Sequence, residues 1–355
     1  MQLPEHVAPD DIFVEYAYFS SYSDAWLDHA RQYVEDVTSR LKLDKASRVV
    51  ELGSNDGYLL QFFVEKGIPV LGIDPAANVV KAAEARGVRS LVGFFDASMA
   101  GRLAAEGEQA DLIVGNNVLA QVAELNDFIE GVRLLLKPNG TATFEFPHIL
   151  QTLRGHQFDQ FYHEHYSYFS ALTIEKILSA HRLRLFDAEQ LPTHGGSLRI
   201  YICHAESDTP TKPSVGKLIT AERGYGLDRV ATYDAFADKV METKRNLLSF
   251  LISVRSAGMS IAGYGAPGKG NTLLNYCGIR TDLIDYTVDR NPYKQGKFLP
   301  GTRIPIYAPE KISETKPAYV LILPWNLKDE ILEQLSYVRD WGGQLVTPIP
   351  EVKIY

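Results

Sequence analysis

Cysteine is scarce in this sequence, with only Cys203 and Cys277 among 355 residues. Because these two residues lie far apart in apolar contexts, they cannot form a disulfide framework or a cysteine-rich zinc site. We interpret them as small buried side chains in a reducing compartment, and we expect a cytoplasmic protein.

Excess basic charge and long apolar runs are also lacking. The chain has 36 Lys and Arg against 44 Asp and Glu, a net charge of -8, whereas nucleic-acid binding is built largely from excess Lys and Arg near phosphates. No apolar run is long enough to span a bilayer, and the first residues lack the pattern of a signal peptide. We therefore expect no nucleic-acid or membrane partner, and any bound phosphate must be held by local groups.

The first half of the chain alternates short apolar runs with amphipathic helical patterns. The strand-like runs are VVELG, VLGID, LVGFF, DLIVGNNVL and TATFEFP. This alternation is typical of βαβ units and predicts a doubly wound α/β domain with a mainly parallel sheet. Ahead of it, apolar residues from Trp26 to Leu41 recur at helical spacing, which predicts a helix that Asp24 can cap.

A second alternation follows a polar, proline-containing linker at 205–216 and a long helical pattern. Its strand-like runs are SIAGYG, DYTVD, YVLILP and GQLVTP, which predict a second, smaller Rossmann-like α/β domain. The predicted segments are an N-terminal arm, loose over residues 1–10, with a helix that packs on the first domain (1–44), that first α/β domain (45–204), a linker with a long helix (205–258) and a C-terminal domain (259–355).

A glycine-rich turn follows the first predicted strand in VVELGSNDGYLLQFF, residues 49–63. Gly53 and Gly57 allow backbone conformations that let a ligand approach the main chain closely. Asp74, which ends the next strand and precedes Pro75, can accept hydrogen bonds from a ribose diol. These features suit an adenosyl group, although an ordinary tight βα turn is the alternative.

The charge near this turn favours one adenosyl cofactor over another. A nicotinamide dinucleotide favours G-x-G-x-x-G, but Asn55 holds the position of the second glycine and Glu51 stands just before the turn. A carboxylate there repels a diphosphate and suits the cationic methionine end of S-adenosylmethionine. The pattern resembles motif I of class I methyltransferases. In GNNVLAQV, which follows the fourth predicted strand, Asn116 and Asn117 stand where that superfamily has residues beside the methionyl group of the cofactor.

The stretch FYHEHYSYF, residues 161–169, follows the fifth predicted strand within a long insertion. Insertions after the carboxyl ends of parallel strands lie over the ligand crevice. Histidines two residues apart do not have the spacing of a metalloprotease site, so we predict no metal. Aromatic core packing is an alternative, but two histidines and a glutamate are costly to bury without partners, which favours acid–base chemistry.

Two later motifs could bind an oxygen-rich substrate. In HGGSLRIYI, the side chains of His194, Ser197 and Arg199 could donate hydrogen bonds, although this motif alone is ambiguous.

The second motif, SIAGYGAPGKGNTLLNY at 260–276, has G-x-G-x-x-G at Gly263, Gly265 and Gly268. It nearly matches a P-loop, but Gly270 replaces the hydroxyl residue that binds magnesium, which disfavours ATP hydrolysis. We predict that backbone N–H groups and Lys269 hold a diphosphate, with Arg303 in a nearby loop. A purely structural Rossmann-like turn is the alternative.

Seven motifs together resemble the S-adenosylmethionine-dependent C-methyltransferases of deoxysugar biosynthesis: YAYFSSYSD, ELGSNDGYLL, NNVLAQV, FYHEHYSY, HGGSLR, GYGAPGKGNTLLNY and DRNPYKQGKFLPG. The resemblance spans nearly the whole chain. It implies a class I methyltransferase domain at 45–204, a substrate-binding domain at 259–355 and S-adenosyl-L-methionine as the cofactor. The implied substrate is a nucleotide-linked 4-keto sugar, with dTDP as the expected nucleotide, methylated at a ring carbon that is typically C3.

The sequence departs from that family at two places. Members usually begin with a small cysteine-rich zinc-binding domain, and this sequence starts at about the point where such a domain would end, so we expect no zinc. Gln121 stands where a histidine is common, which weakens a proton-transfer role at that position.

The implied reaction requires a base, because a carbon becomes nucleophilic only after a proton beside the ketone is removed. It also requires a group that stabilises the enolate oxygen. By resemblance to the Y-H-E-H motif of the family, His165 is the expected base. Tyr162 and Tyr16 are expected to position the sugar or hydrogen-bond the enolate oxygen, and Glu164 to orient a neighbouring group.

Three other functions stay open at this point. An O- or N-methyltransferase would keep the cofactor half but would need no carbon acid. A two-domain NAD(P)-dependent sugar oxidoreductase would use Gly263, Gly265 and Gly268. A ligand-binding protein without catalytic activity is the third.

Overall fold

The apolar runs form two sheets in the computed structural model, which describes residues 1–13, 16 and 18–355. The strands are β1 Val49–Leu52, β2 Val70–Asp74, β3 Ser90–Val92, β4 Ala110–Asn116, β5 Leu136–Pro147, β6 Leu183–Leu191, β7 Ser197–His204, β8 Ile261–Tyr264, β9 Tyr286–Val288, β10 Ile306–Tyr307, β11 Tyr319–Ile322, β12 Gln344–Thr347 and β13 Lys353–Ile354. The helices are α1 Pro9–Phe13, α2 Asp24–Leu41, α3 Leu60–Glu65, α4 Ala77–Ala85, α5 Ala97–Ala105, α6 Leu125–Leu135, α7 Ile149–Arg154, α8 Ala171–Ala180, α9 Pro213–Tyr225, α10 Val230–Ser256, α11 Gly268–Cys277, α12 Lys311–Thr315 and α13 Lys328–Gln334.

The chain divides into two compact units. The first comprises residues 1–148, 163–192 and 196–228, and the second comprises residues 149–162, 193–195 and 229–355. The segment predicted as a linker with a long helix is shared, because α9 belongs to the first unit and α10 to the second.

The first unit is built on a seven-stranded sheet with the order β3-β2-β1-β4-β5-β7-β6. Its first five strands are parallel, and β7 runs antiparallel to both β5 and β6. Alternate residues of β1 face opposite sides: Val50 and Leu52 pack with α5 and α6, and Val49 packs with α2 and α3. Burial on both faces explains the continuous apolar runs and confirms the predicted doubly wound α/β sheet.

The second unit contains a six-stranded sheet with the order β10-β9-β8-β11-β12-β13. Its strands are parallel except for β13, which pairs antiparallel with β12. The order reverses beside β8, and a ligand crevice forms where strand order reverses in such sheets. The glycine-rich turn after β8 lies at that point.

Some elements differ from the sequence predictions. Ser23, and not Asp24, caps α2, since its side chain accepts a hydrogen bond from the backbone N–H of Trp26. Asp24 is instead the first helical residue, where a negative charge favours the helix dipole. The linker contains α9, which has Pro213 at its first turn and a left-handed Gly226 as its C-cap, both of which are helix-end signals.

Part of the N-terminal arm is not loose. The backbone N–H of Leu3 donates to the carbonyl of Tyr166 at 2.7 Å, and the N–H of Tyr168 donates to the carbonyl of Met1 at 2.8 Å. Gln2 and Ser167 thus form an antiparallel bridge. The arm is ordered because it satisfies backbone groups next to the Y-H-E-H motif.

Within the described ranges, none of the helices is long and apolar enough to cross a membrane.

Candidate active site

The first glycine-rich turn connects β1 to α3 through three residues with positive φ: Gly53 at 66°, Asn55 at 48° and Gly57 at 76°. A Cβ added to Gly53 would lie 3.1 Å from Val118, and one added to Gly57 would lie 3.0 Å from Val88. Both glycines are therefore required by backbone conformation and by packing of the turn against neighbouring loops. The result is a fixed main-chain turn at the carboxyl end of β1.

Glu51 lies in β1 just before this turn and is fully buried. Neither carboxylate oxygen has a hydrogen-bond partner among the described residues. Burial raises the pKa of Glu51 well above its usual value and Asp74 raises it further, while the nearby Tyr58 hydroxyl opposes the shift. The Tyr58 hydroxyl is a neighbouring donor but does not meet the geometry of a full hydrogen bond, so this buried carboxylate favours a cationic ligand, which would supply a stronger partner.

Asp74 ends β2 and lies close to the same turn. One carboxylate oxygen accepts a hydrogen bond from the backbone N–H of Asn55, and the other accepts from the N–H of Ala76 beyond Pro75, each at 2.9 Å. Burial raises the pKa of Asp74, and these two hydrogen bonds oppose the shift. Because a carboxylate oxygen accepts more than one hydrogen bond, both oxygens retain capacity for a ligand hydroxyl.

Asn116 and Asn117 follow at the carboxyl end of β4. The side-chain Nδ2 of Asn116 is buried and has no partner in the part of the chain that is described. Asn117 adopts φ of 57° and donates its backbone N–H to the carbonyl of Glu145 at 2.7 Å. The two asparagines therefore differ: Asn116 presents a buried side-chain donor near the Tyr58 hydroxyl, whereas Asn117 shapes the loop.

The Y-H-E-H motif crosses the boundary between the two units. Tyr162 belongs to the second unit, whereas Glu164 and His165 belong to the first. In the first unit, Ser167 donates its backbone N–H to the carbonyl of Ala120 at 3.1 Å. The segment that carries His165 is thereby tied to the loop after β4.

The first-unit part of the motif contains three ionisable side chains. His165 is half-buried, with its ring 6.2 Å from that of Tyr168 in an edge-on arrangement. Burial raises the pKa of Glu164, and His163, whose Nε2 lies 4.0 Å from Glu164, opposes the shift. His163 itself has a largely exposed side chain.

Tyr16 is held next to α4 by the side chain of Asn78, which bonds the Tyr16 backbone N–H at 3.2 Å and its carbonyl at 2.8 Å. Burial raises the pKa of Tyr16, and the nearby carboxyl groups of Glu164 and Asp74 raise it further. The phenol therefore keeps its proton and can act as a hydrogen-bond donor. The structure groups Tyr16 with Glu164 and Asp74.

In the second unit, the glycine-rich turn leads into α11. Gly265 has φ of 86°, and the backbone N–H of Ala266 donates to Asp289 at 2.7 Å. Gly268 begins the helix, and a Cβ added to it would lie 3.8 Å from the ring of Tyr162. The backbone N–H groups in the first turn of a helix lack intrahelical partners, so they can bind an anion.

Lys269 lies in this first turn. Its Nζ donates to the side-chain oxygen of Asn326 at 2.7 Å and lies 5.0 Å from the centre of the Trp325 ring. Burial of the ammonium group lowers the pKa of Lys269 to about 8, and Asp159 opposes the shift.

The remaining predicted substrate residues have different surroundings. His194 lies in the second unit, with φ of 53°, and its carbonyl accepts from Gln160 at 3.2 Å. Arg303 is exposed, whereas Ser197 and Arg199 are buried in β7 of the first unit. Substrate contact by these four residues stays a prediction.

Sequence reasoning missed a charged cluster on the α2 side of the first sheet. Fully buried Glu145 pairs in register with Asn116 on one side and with Arg199 on the other. Its Oε2 lies 2.7 Å from Arg199 Nη2 and 2.9 Å from His29 Nε2. The signal was present, since Glu145 and Arg199 interrupt the otherwise apolar runs TATFEFP and SLRIYI, but their pairing depends on the order of strands in the sheet.

Among the described side chains, no group of three or more His, Cys, Asp or Glu residues could hold a metal ion. The absence of zinc stays a prediction.

The chain is 34% identical over 354 residues to the C-methyltransferase NovU of Streptomyces niveus, an alignment that covers 100% of this chain and 84% of NovU. The chain belongs to the C-methyltransferase family.

The family models agree with this assignment. The model described as the C-methyltransferase C-terminal domain matches residues 192–350, and a methyltransferase-domain model matches residues 26–185. This C-methyltransferase is 30% identical over 94 residues to a ubiquinone biosynthesis O-methyltransferase of Bartonella bacilliformis, which covers 26% of this chain and 38% of that protein. An S-adenosylmethionine-dependent methyltransferase structure from Clostridium acetobutylicum is similar with a TM-score of 0.40 and 13% identity, over 50% of this chain and 92% of that one.

This C-methyltransferase has the class I fold and uses S-adenosylmethionine, and its first unit fits that cofactor. The two unpartnered oxygens of Glu51 would accept hydrogen bonds from the cofactor ammonium group. The unpartnered Nδ2 of Asn116 is a donor for an oxygen, and Asp74 has acceptor capacity for ribose hydroxyls. The turn thus has a carboxylate that can bind a cation, whereas the diphosphate of a dinucleotide requires hydrogen-bond donors or positive charge.

Proposed function

We propose that this C-methyltransferase methylates a ring carbon, C3, of a nucleotide-linked 4-keto deoxysugar through an enolate, with dTDP as the nucleotide. The observation that carries the proposal is that Asn78 of α4 holds Tyr16 just beyond Asp74, while the segment with Glu164 and His165 is bonded to the loop after β4. A phenol that keeps its proton therefore lies beside the cofactor residue at the end of β2, which supports its role as a donor to the enolate oxygen.

The cofactor residues have distinct roles in this proposal. Glu51 and Asn116 hold the amino-acid end, and Asp74 with Pro75 holds the ribose. Gly53, Asn55, Gly57 and Asn117, all with positive φ, give the turn and the neighbouring loop their shape. When bound, S-adenosylmethionine supplies an electrophilic methyl group on a positively charged sulfur.

The chemistry at the sugar requires removal of one proton and stabilisation of one oxygen. His165 takes the proton from the carbon beside the ketone. Tyr16 donates a hydrogen bond to the oxygen as negative charge develops there, which its raised pKa supports because the phenol stays protonated. Glu164 orients its neighbours, and Tyr162 contacts the substrate.

The diphosphate of the substrate is assigned to the second unit. Lys269 supplies a cation, and the first turn of α11, from Gly268 onward, supplies backbone N–H donors. His194 and Arg303 are further candidate contacts. Arg199 and Ser197 are the weaker candidates, since Arg199 is already paired with Glu145 and Ser197 is buried.

Exchange of the sugar proton with deuterium tests the assignment of the base. Wild-type enzyme is incubated in D₂O with a nucleotide-linked 4-keto sugar and S-adenosylhomocysteine, and exchange at the acidic carbon is followed by NMR. We expect His165→Ala to slow exchange and methylation by a factor of roughly 100 to 10,000, the usual contribution of a general base.

A neighbouring histidine provides the matched control. His163 lies in the same motif, but its side chain is largely exposed, so His163→Ala should retain exchange within a few-fold of wild type. Equal rates for wild type and His165→Ala would remove His165 as the base. Turnover with labelled S-adenosylmethionine across a panel of nucleotide sugars tests the substrate class, and methylation of none of them would refute it.

A further inference from the structure

A buried carboxylate in the second unit has no role in the reaction described above. Asp159 lies in the 3₁₀ turn Phe158–Gln160 and is 0% exposed. Its Oδ2 accepts a hydrogen bond from the indole N–H of Trp325 at 2.7 Å, whereas its Oδ1 has no hydrogen-bond partner among the residues that the structure describes. The surroundings are apolar, because Phe158 and Trp325 belong to the main hydrophobic core of this unit.

Trp325 connects this carboxylate to Lys269. The indole N–H bonds Asp159, while the ring lies 5.0 Å from the Lys269 ammonium nitrogen. The next residue, Asn326, accepts a hydrogen bond from the same ammonium group at 2.7 Å. One tryptophan therefore contacts both the acid and the base, and its position depends on the hydrogen bond to Asp159.

The environment of Lys269 opposes a positive charge in two ways. Burial lowers the pKa of its ammonium group to about 8, and the N-terminal end of α11 carries a positive partial charge. Among the groups that face the ammonium, Asn326 and Trp325 are neutral, and Asp159 is the carboxylate that opposes the shift.

The pairing also acts on Asp159. Burial raises the pKa of its carboxyl group to about 6, and the charge of Lys269 and the hydrogen bond from Trp325 limit the increase. Near pH 7 both partners are therefore charged. Removing one charge from such a pair leaves the other buried without compensation.

We propose that Asp159 is a positioning residue of an anion site in the second unit, where it holds Trp325 in place and keeps the Lys269 ammonium group charged for a diphosphate. This inference rests on the diphosphate role of Lys269 in the proposed function. It adds a residue outside the binding surface that controls the charge of the binding group.

A specific pH dependence follows. Binding of the diphosphate should weaken as the pH rises through about 8, where Lys269 loses its proton. As the pH falls through about 6 Asp159 becomes neutral, but Lys269 stays charged at that pH, so binding should change little there. The diphosphate of a nucleotide sugar stays ionised throughout this range, so the ligand does not contribute to the profile.

The variant Asp159→Asn tests the charge without removing the hydrogen-bond acceptor for Trp325. In the full chain, acetylation of Lys269 by acetic anhydride is followed by mass spectrometry as a function of pH. We expect a wild-type midpoint near 8 and a midpoint lower by about one pH unit in Asp159→Asn, with labelling about tenfold faster below the midpoint. Asp159→Glu should restore most of the wild-type profile.

Asp285→Asn is the matched control. Asp285 also lies in the second unit and pairs with Arg255 at 2.8 Å, away from the groups named above. Its substitution should leave the labelling midpoint of Lys269 unchanged. A midpoint in Asp159→Asn equal to that of wild type overturns the inference.

Calorimetric binding of dTDP-glucose and UDP-glucose, used as probes, separates this inference from the proposed function. We expect Asp159→Asn to weaken binding of at least one probe about twofold at about pH 7 and about tenfold at about pH 9, because a midpoint lowered by one unit leaves about a tenth of the charged Lys269 of wild type above both midpoints, and to leave S-adenosylmethionine binding unchanged. If wild type binds neither probe, the diphosphate role of Lys269 fails even when the labelling midpoint shifts. If the midpoint shifts but probe affinity does not change, Asp159 controls a charge that the ligand does not use, and the proposal is overturned.

Discussion

Replacing Glu51 by glutamine should weaken cofactor binding and, at the same time, stabilise the free enzyme. Glu51 is fully buried, and neither carboxylate oxygen has a donor among the described residues. Glutamine keeps the shape of the side chain and removes its charge. The two expected effects have opposite signs, which distinguishes a ligand-binding carboxylate from a structural one.

The loss of affinity can be estimated from the strength of a charged hydrogen bond. Such a bond contributes about 1.5–3 kcal/mol, and about 1.4 kcal/mol corresponds to a tenfold change in affinity. We therefore expect the Kd for S-adenosylmethionine to rise by about ten- to a hundredfold. S-adenosylhomocysteine has the same ammonium group without the sulfonium charge, so a similar loss for both ligands would indicate that Glu51 contacts the ammonium group.

The stability effect follows from the raised pKa of Glu51. A glutamate in the unfolded chain has a pKa of about 4.3, and the native carboxyl group holds its proton to higher pH. Between these two pKa values the native state binds more protons, so the free energy of unfolding falls as the pH rises. Glutamine removes this loss, and each kcal/mol regained raises Tm by about 2–4 °C.

Isothermal titration calorimetry with both ligands and thermal unfolding from pH 4 to 8 measure these effects. Glu65→Gln is the matched control, because Glu65 is exposed and pairs only with Arg31 at the surface in the contacts observed. It should change neither Kd nor the pH dependence of Tm. The reasoning would be refuted if Glu51→Gln left both affinities unchanged, or if it lowered the Tm of the free enzyme.

Three further substitutions test other parts of the structure. Tyr16→Phe should lower kcat by roughly 100-fold or more, the usual effect of losing an oxyanion donor, with S-adenosylmethionine affinity unchanged in calorimetry; a normal kcat would exclude a role for the phenol. Lys269→Ala should raise the KM for the nucleotide sugar in steady-state assays, and an effect confined to kcat would argue against a binding role. Glu222→Ala should destabilise the first unit by about 3–5 kcal/mol in urea unfolding. Glu222 is fully buried, and its carboxylate accepts hydrogen bonds from the N–H of Ala171 and from His148. A change below about 1 kcal/mol would show that this pairing is dispensable.

The sequence was most informative where the physical signal is local. Alternating apolar runs predicted the doubly wound sheet, and the glycine-rich turn with Glu51 was located within a few residues of β1. The strand β6 was missed because LRLFDAEQL carries Asp187 and Glu189, whose partners Arg40 and Tyr201 come from α2 and β7. Such pairing requires the order of the strands and cannot be derived from a window of residues.

The same limit explains the candidate site residues. In HGGSLR, Arg199 is a residue type that often contacts ligands. The antiparallel pairing of β7 with β5, however, brings Glu145 Oε2 to 2.7 Å from Arg199 Nη2. Tyr162 and His165 are three residues apart, yet the chain passes from the second unit to the first between them. Short motifs therefore identify which chemical groups are neighbours in the sequence. Which of them are neighbours in space depends on tertiary contacts that the motifs do not contain.

Four buried carboxylates of this enzyme differ in the donors that surround them. Glu145 and Glu222 have donors supplied by the fold, from Arg199 and His29 in one case and from the start of α8 and His148 in the other. Glu51 and the Oδ1 of Asp159 have no such donors within the described ranges. Burying an acceptor without a donor costs about 1–3 kcal/mol, so the free enzyme carries this cost at both places. In the proposed function, a cationic ligand would remove the cost at Glu51, and the Lys269 ammonium group would offset it at Asp159, so these two carboxylates are the ones expected to respond to ligands.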